Sequence, residues 1–215
     1  MFVPFPFPPT SDRIVDVDLN GDLKRRAPDE SVGFLSRTLT VPSLEGGNDL
    51  LPATPTEDYA GQLFADTFAG VTPNYFKALR AQSREEVDDA LDGIRRTLRA
   101  AERALTLAGP GPFACGGDRF TVHDVVACTM VPRMTAVLWY YRRFDVHDEV
   151  HTMGLRRLGE WMEAVMHRPS VKTTLAHMTE EDGAEDYGTA MIEHSAKFVS
   201  WPARTNEENA VIYRF

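Results

Sequence analysis

The sequence predicts a mainly helical fold preceded by a short α/β segment. Three observations predict it. Val87, Leu91, Ile94, Leu98, Ala101 and Leu105 recur in alternating steps of four and three, the spacing of a one-sided amphipathic helix. Helix-start signals recur as well: Thr54-Pro55 with Glu57, Ser83 with Glu86, and Thr121 with Asp124. Each pairs a hydroxyl N-cap with a carboxylate three residues on. Strand-like alternation is confined to the first 50 residues.

Composition narrows the function classes. The chain has 215 residues, 43% of them hydrophobic and 26% charged, which suits one or two globular domains. Its formal net charge is −9, which argues against nucleic acid, whose phosphates need clustered Lys and Arg, and against an anionic membrane surface. No apolar run is long enough to span a bilayer. Residues 1–9 are apolar but hold four prolines and no basic residue, so they do not read as a secretory signal. Two cysteines, Cys115 and Cys128, predict no disulfide framework and a reducing, cytoplasmic setting.

The elements follow in order. Residues 1–12 are rich in Pro and Phe and predict irregular chain. Arg13 to Leu19 alternates apolar residues with Asp16 and Asp18 and reads as a strand ended by Asn20-Gly21. Lys24 to Ser36 reads as one short helix, and Thr38 to Leu44 as a second strand with Pro42 inside it. A helical domain over residues 51–177 begins at Thr54. Tyr59, Leu63, Phe64, Phe68 and Val71 form its first apolar stripe, with a kink expected at Pro73. The long seam of residues 87–105 is the next helix, ended by Gly109-Pro110-Gly111. A mostly buried helix is expected from Val122 to about Arg143, kinked near Pro132. Phe144 to Val150 reads as a connection. A helix over Thr152 to His167 then carries Leu155, Leu158, Trp161, Met162, Val165 and Met166 on one side, ended by Pro169. Residues 178–215 form a tail, acidic and then aromatic, with one helix expected up to Lys197.

The stretch Pro112 to Val126 is the most informative. Gly116, Gly117 and Asp118 make a tight turn between Phe113 and Phe120. Thr121 then caps a helix, Asp124 can reach back to the cap's N–H, and Phe120 is placed to staple onto Val125. This stretch resembles the turn and buried-helix start in the all-helical C-terminal domain of cytosolic glutathione transferases. Trp161, Met162 and Met166, followed by Arg168, Pro169, Ser170, Val171 and Lys172, resemble a late helix of the same domain. The preceding residues 1–50 would then be an abridged thioredoxin-like segment, shorter than a complete domain of that type.

The resemblance implies a function. A glutathione transferase-like protein would conjugate glutathione to an electrophile or act as a thiol transferase; the alternative is a non-catalytic module that binds apolar ligands or protein partners, as a homodimer or otherwise. Val41-Pro42 resembles the family's Val-Pro before a strand, so glutathione would pair with the backbone at Val41 and Pro42. By the same resemblance Tyr59, Phe68, Tyr75 and Arg133 are candidates to line an acceptor pocket. The thiol-activating residue matches no position here. Thr121 and Asp124 read as a structural capping pair. Cys115 and Cys128 read as small core residues, since neither has the cationic neighbour that activates a thiol. His147 and His151, four apart, would share a helix face, but no third metal ligand is evident and both read as solvated polar residues, so no metal is expected.

Overall fold

Local cap chemistry sets where the helices begin. The computed structural model describes residues 15–17, 23–25, 50–182 and 186–200. The chain divides into two compact units, Met1–Leu51 and Pro52–Phe215. In the first, β1 (Val15–Val17) pairs antiparallel with β2 (Leu23–Arg25), Asp16 opposite Lys24. Strand β2 thus takes two residues from the start of the helix expected over Lys24 to Ser36. The second expected strand, with Val41 and Pro42, lies outside the described residues.

The second unit is mainly helical. Helix α1 (Pro55–Ala69) opens with the Thr54 hydroxyl accepting from the Glu57 N–H at 3.2 Å. The Glu57 carboxylate reaches one residue past the cap, to the Ala53 N–H at 2.8 Å. Gly70 separates α1 from α2 (Val71–Arg80). The break therefore falls at Gly70, and Pro73 sits in the first turn of α2, where its missing N–H breaks no intrahelical bond. Helix α3 (Arg84–Ala108) starts on Ser83 as expected, its hydroxyl accepting from the Glu86 N–H at 3.2 Å. All six residues of its apolar seam are buried.

The next helical path runs from Val122 to Arg142 in pieces: α4 (Val122–Cys128), α5 (Met130–Arg133), a π-helical turn (Met134–Leu138) and α6 (Trp139–Arg142). Pro132 interrupts the α ladder because it cannot donate, and the wider turn follows directly. Val125 and Val126 are 37% and 55% exposed, so this start is buried on fewer sides than the apolar run suggests, and Phe120 packs on Phe113 at 5.5 Å between ring centroids.

The expected connection at 144–150 is instead largely a helix, α7 (Val146–Thr152). Asp145 caps it, accepting from the N–H groups of His147 and Asp148. Gly154, at φ 66, turns the chain into α8 (Arg156–His167). Pro169 ends α8 by opening a new helix, α9 (Pro169–Asp182), its favoured place at a helix start. The single late helix expected through Lys197 is two: Asp186 caps α10 (Tyr187–Ser195), and a 3-10 turn (Ala196–Phe198) follows. Residues 186–200 pack back on the unit. The Tyr141 hydroxyl donates to the Ile192 carbonyl at 3.0 Å, and the Ser200 N–H donates to the Leu79 carbonyl at 3.1 Å.

The core sits where α1, α3, α4 and α8 meet. Trp161 is fully buried and edge-on to Phe64 and Phe68, with centroids at 4.8 and 5.1 Å. Each such ring contributes about 1.5–3 kcal/mol through burial. Two charged side chains on other elements hold helix ends. Glu102 accepts from the N–H groups of Arg157 and Leu158 at 3.2 and 2.7 Å, capping α8 from α3. Arg142 is buried and donates to the Ala78 and Leu79 carbonyls at 2.8 and 3.0 Å, capping the C-terminus of α2. No helix among the described residues is long and apolar enough to cross a membrane.

Candidate functional site

The two stretches singled out in the sequence meet in space. Asp124 is fully buried and accepts four hydrogen bonds. One oxygen takes the Ala114 N–H at 2.8 Å and the Trp161 indole N–H at 2.9 Å. The other takes the Thr121 N–H at 2.8 Å and the Thr121 hydroxyl at 3.0 Å. Burial pushes the Asp124 carboxyl up from its ordinary value, against the pull of these four donors. Arg168 lies over the Phe120 ring at 4.2 Å, a second link between the stretches. The turn feeding this hub needs glycine: a Cβ at Gly111, where φ is 114, would lie 2.2 Å from the Gly117 nitrogen. Asp124 and Thr121 thus form the capping box at the start of α4.

The cysteines sit beside this hub. The Thr121 hydroxyl gives its proton to Asp124, so at the 3.3 Å contact between Cys115 and Thr121 the thiol is the donor. Burial pushes the Cys115 thiol up to about 11, with Asp124, Glu57 and Asp58 adding to the rise. Burial likewise pushes Cys128 up to about 11, and its thiol donates to the Val125 carbonyl. Both are therefore protonated near neutral pH and poor nucleophiles. His123, buried on the first turn of α4, donates from Nε2 to the Asp58 carboxylate at 2.8 Å and ties α4 to α1.

The four residues expected to line an acceptor pocket do not all come together. Tyr59 is 71% exposed on α1, while Phe68 faces the opposite way, into the core against Trp161. Tyr75 is buried, its hydroxyl 3.3 Å from that of Ser195. Burial raises its pKa above the ordinary tyrosine value, against the Ser195 hydrogen bond and the Arg133 charge. Arg133 is half-buried, and its Nε is buried without a hydrogen-bond partner.

A cavity of about 1040 Å³ lies elsewhere, between the π-helical turn and helices α7, α8 and α10. Val131, Ala136, Val150, Leu155, Met162 and Met166 give it mainly apolar walls. That size is at the upper end of small-molecule sites, and the methionines let a wall adapt to different shapes. The π-helical turn places Thr135 and Ala136 on one side. His147, His151, Glu163 and His167 are exposed residues of its lining, and Tyr187 is a half-buried one. His147 and His151 do share a helix face as their spacing implied. Among the described residues no three His, Cys, Asp or Glu side chains group as metal ligands.

The chain matches no family model and none of the characterised proteins against which it was compared.

Sequence reasoning missed the cavity, because its lining is drawn from six separate elements. The one local signal was the His147/His151 spacing, which assigns a face without saying what the face meets. Arg142, Glu102 and the Asp58–His123 pair were also missed as partners. Each pairing spans 55 or more residues, and no short-range pattern encodes such a distance.

Proposed function

We propose that the helical unit is a divergent glutathione transferase-type C-terminal domain acting as a binding module for a largely apolar small molecule. The observation that carries the binding reading is the cavity of about 1040 Å³ walled by Val131, Val150, Leu155, Met162 and Met166. Burying an apolar ligand there removes apolar surface from water at about 25 cal/mol per Å². Support for the transferase-type reading comes from the bond between Trp161 and Asp124, since the two stretches that carry the resemblance hold each other. The raised thiols of Cys115 and Cys128 favour binding over chemistry at those residues.

Two titrations on one folded sample test this. N-phenyl-1-naphthylamine, uncharged and fluorescent in apolar surroundings, is expected to bind saturably, and Leu155→Trp or Met162→Trp to weaken it by filling the cavity. Saturable binding that neither substitution touches would move the site elsewhere. Calorimetry with glutathione, alongside an electrophile-conjugation assay, tests the enzymatic alternative. Binding with turnover would replace the module by a transferase and direct attention to Val41 and Pro42.

A further inference from the structure

The polar groups that line the cavity select among apolar ligands by charge. Three carboxylates line it, Glu160, Glu163 and Asp186, against one guanidinium, Arg156. Glu160 is held by Arg156 and Arg157 at 3.4 and 3.2 Å. Asp186 caps α10 through Thr189 and keeps its charge, its pKa lowered by those hydrogen bonds. Glu163 is exposed. With Arg157 counted beside Arg156, the carboxylates there exceed the guanidiniums by one.

The histidines add acceptors. His167 is 2.8 Å from the Glu163 carbonyl through Nδ1. A carbonyl only accepts, so Nδ1 holds the proton and the neutral ring offers Nε2 as an acceptor. The Thr135 hydroxyl donates to the Val131 carbonyl at 2.9 Å, so at its 3.4 Å contact with His147 the ring Nε2 is the donor. The neutral His147 ring then offers Nδ1. The lining thus sets carboxylates and imidazoles beside apolar walls, and Tyr187 adds a half-buried aromatic ring next to Asp186 in the chain.

We infer that the cavity takes an amphipathic organic cation: an apolar alkyl or aryl body in the cavity and a protonated amine at Glu163 and Asp186. The ammonium N–H groups meet the Glu163 and Asp186 carboxylates as acceptors, and the Tyr187 ring is available for a cation–π contact. This rests on the binding reading above and names the ligand class of that same site. An organic anion of equal length meets the same walls and opposing carboxylates.

Displacement of N-phenyl-1-naphthylamine by octylammonium, octan-1-ol and octanoate, at pH 7.5 and low salt, tests it. Octylammonium is expected to displace the probe at a concentration about tenfold below octanoate, with the alcohol between, as two exposed charge contacts allow. Glu163→Gln is expected to shrink that ratio several-fold, and high salt to shrink it in both proteins. The ratio is read within each protein, so a general loss of cavity binding in the variant cancels. Equal or reversed potency of octanoate, or a ratio unchanged by Glu163→Gln, overturns the cation assignment while leaving apolar binding in place. Failure of the folded protein to bind the probe at all overturns the binding reading and this assignment with it.

Discussion

Replacing Asp124 by asparagine tests the hub with an isosteric change. Asp124 offers two oxygens to four donors in a site with no solvent exposure. Asparagine keeps one oxygen and turns the other into an NH2 group. Keeping the oxygen toward Ala114 and Trp161 is the cheaper orientation, because the Thr121 hydroxyl can turn and accept. The Thr121 N–H then faces another donor and stays unsatisfied. An orphaned buried donor costs about 1–3 kcal/mol, and lost bonds to a charged acceptor add to it. The expected loss is about 2–3 kcal/mol for Asp124→Asn, a fall of roughly 4–12 °C in Tm for a unit of this size. Asp124→Ala removes all four bonds and is expected to cost about 3–5 kcal/mol. Trp161→Phe removes one donor, strands none, and is expected to cost about 1–2 kcal/mol. Urea unfolding followed by circular dichroism reads the series. An Asp124→Asn protein within about 0.5 kcal/mol of the parent would refute the hub, as would a Trp161→Phe loss larger than that of Asp124→Ala.

Three further outcomes are expected. Gly61→Ala places a Cβ 2.4 Å from His123 and 2.5 Å from the Cys115 sulfur; the forced separation of α1 from α4 costs about 1–3 kcal/mol, and an unchanged unfolding midpoint would contradict that contact. Cys115 and Cys128, with thiols pushed up to about 11, are expected to react with a disulfide reagent at pH 8 at least about 100-fold more slowly in the native chain than in urea. Because their folded pKa lies above the unfolded value of 9.0, the stability they contribute is full below pH 9.0 and is lost as the pH rises toward 11; prompt native labelling of both thiols at pH 8 would refute the buried assignment. Glu102→Ala removes the acceptor for the first N–H groups of α8 and is expected to cost about 1–2 kcal/mol; Glu102→Gln, which keeps an acceptor oxygen, is expected to recover part of it by the same unfolding measurement.

The sequence by itself determined where α1, α3 and α4 begin and which face of α3 is buried. Thr54, Ser83 and Thr121 stop a helix from extending backward by hydrogen bonding within three residues. The seam from Val87 to Leu105 fixes a face by period alone. These decisions are local, so they are legible in local pattern. The same locality explains the misreadings. Tyr59, nine residues before the buried Phe68, lies on the opposite side of α1 and is 71% exposed. The connection expected at 144–150 is largely a helix because Asp145 caps it and Arg95 grips it from α3, donating to Glu149 at 2.9 and 2.5 Å. Tertiary structure alone decided the rest: that the Trp161 indole ends on Asp124, 37 residues away, that Arg142 holds the end of α2, and that the cavity opens between the π-helical turn and α7, α8 and α10. A hydrogen-bond donor or an apolar face specifies only that it needs a partner. Which partner it finds depends on how every other helix fills the space around it.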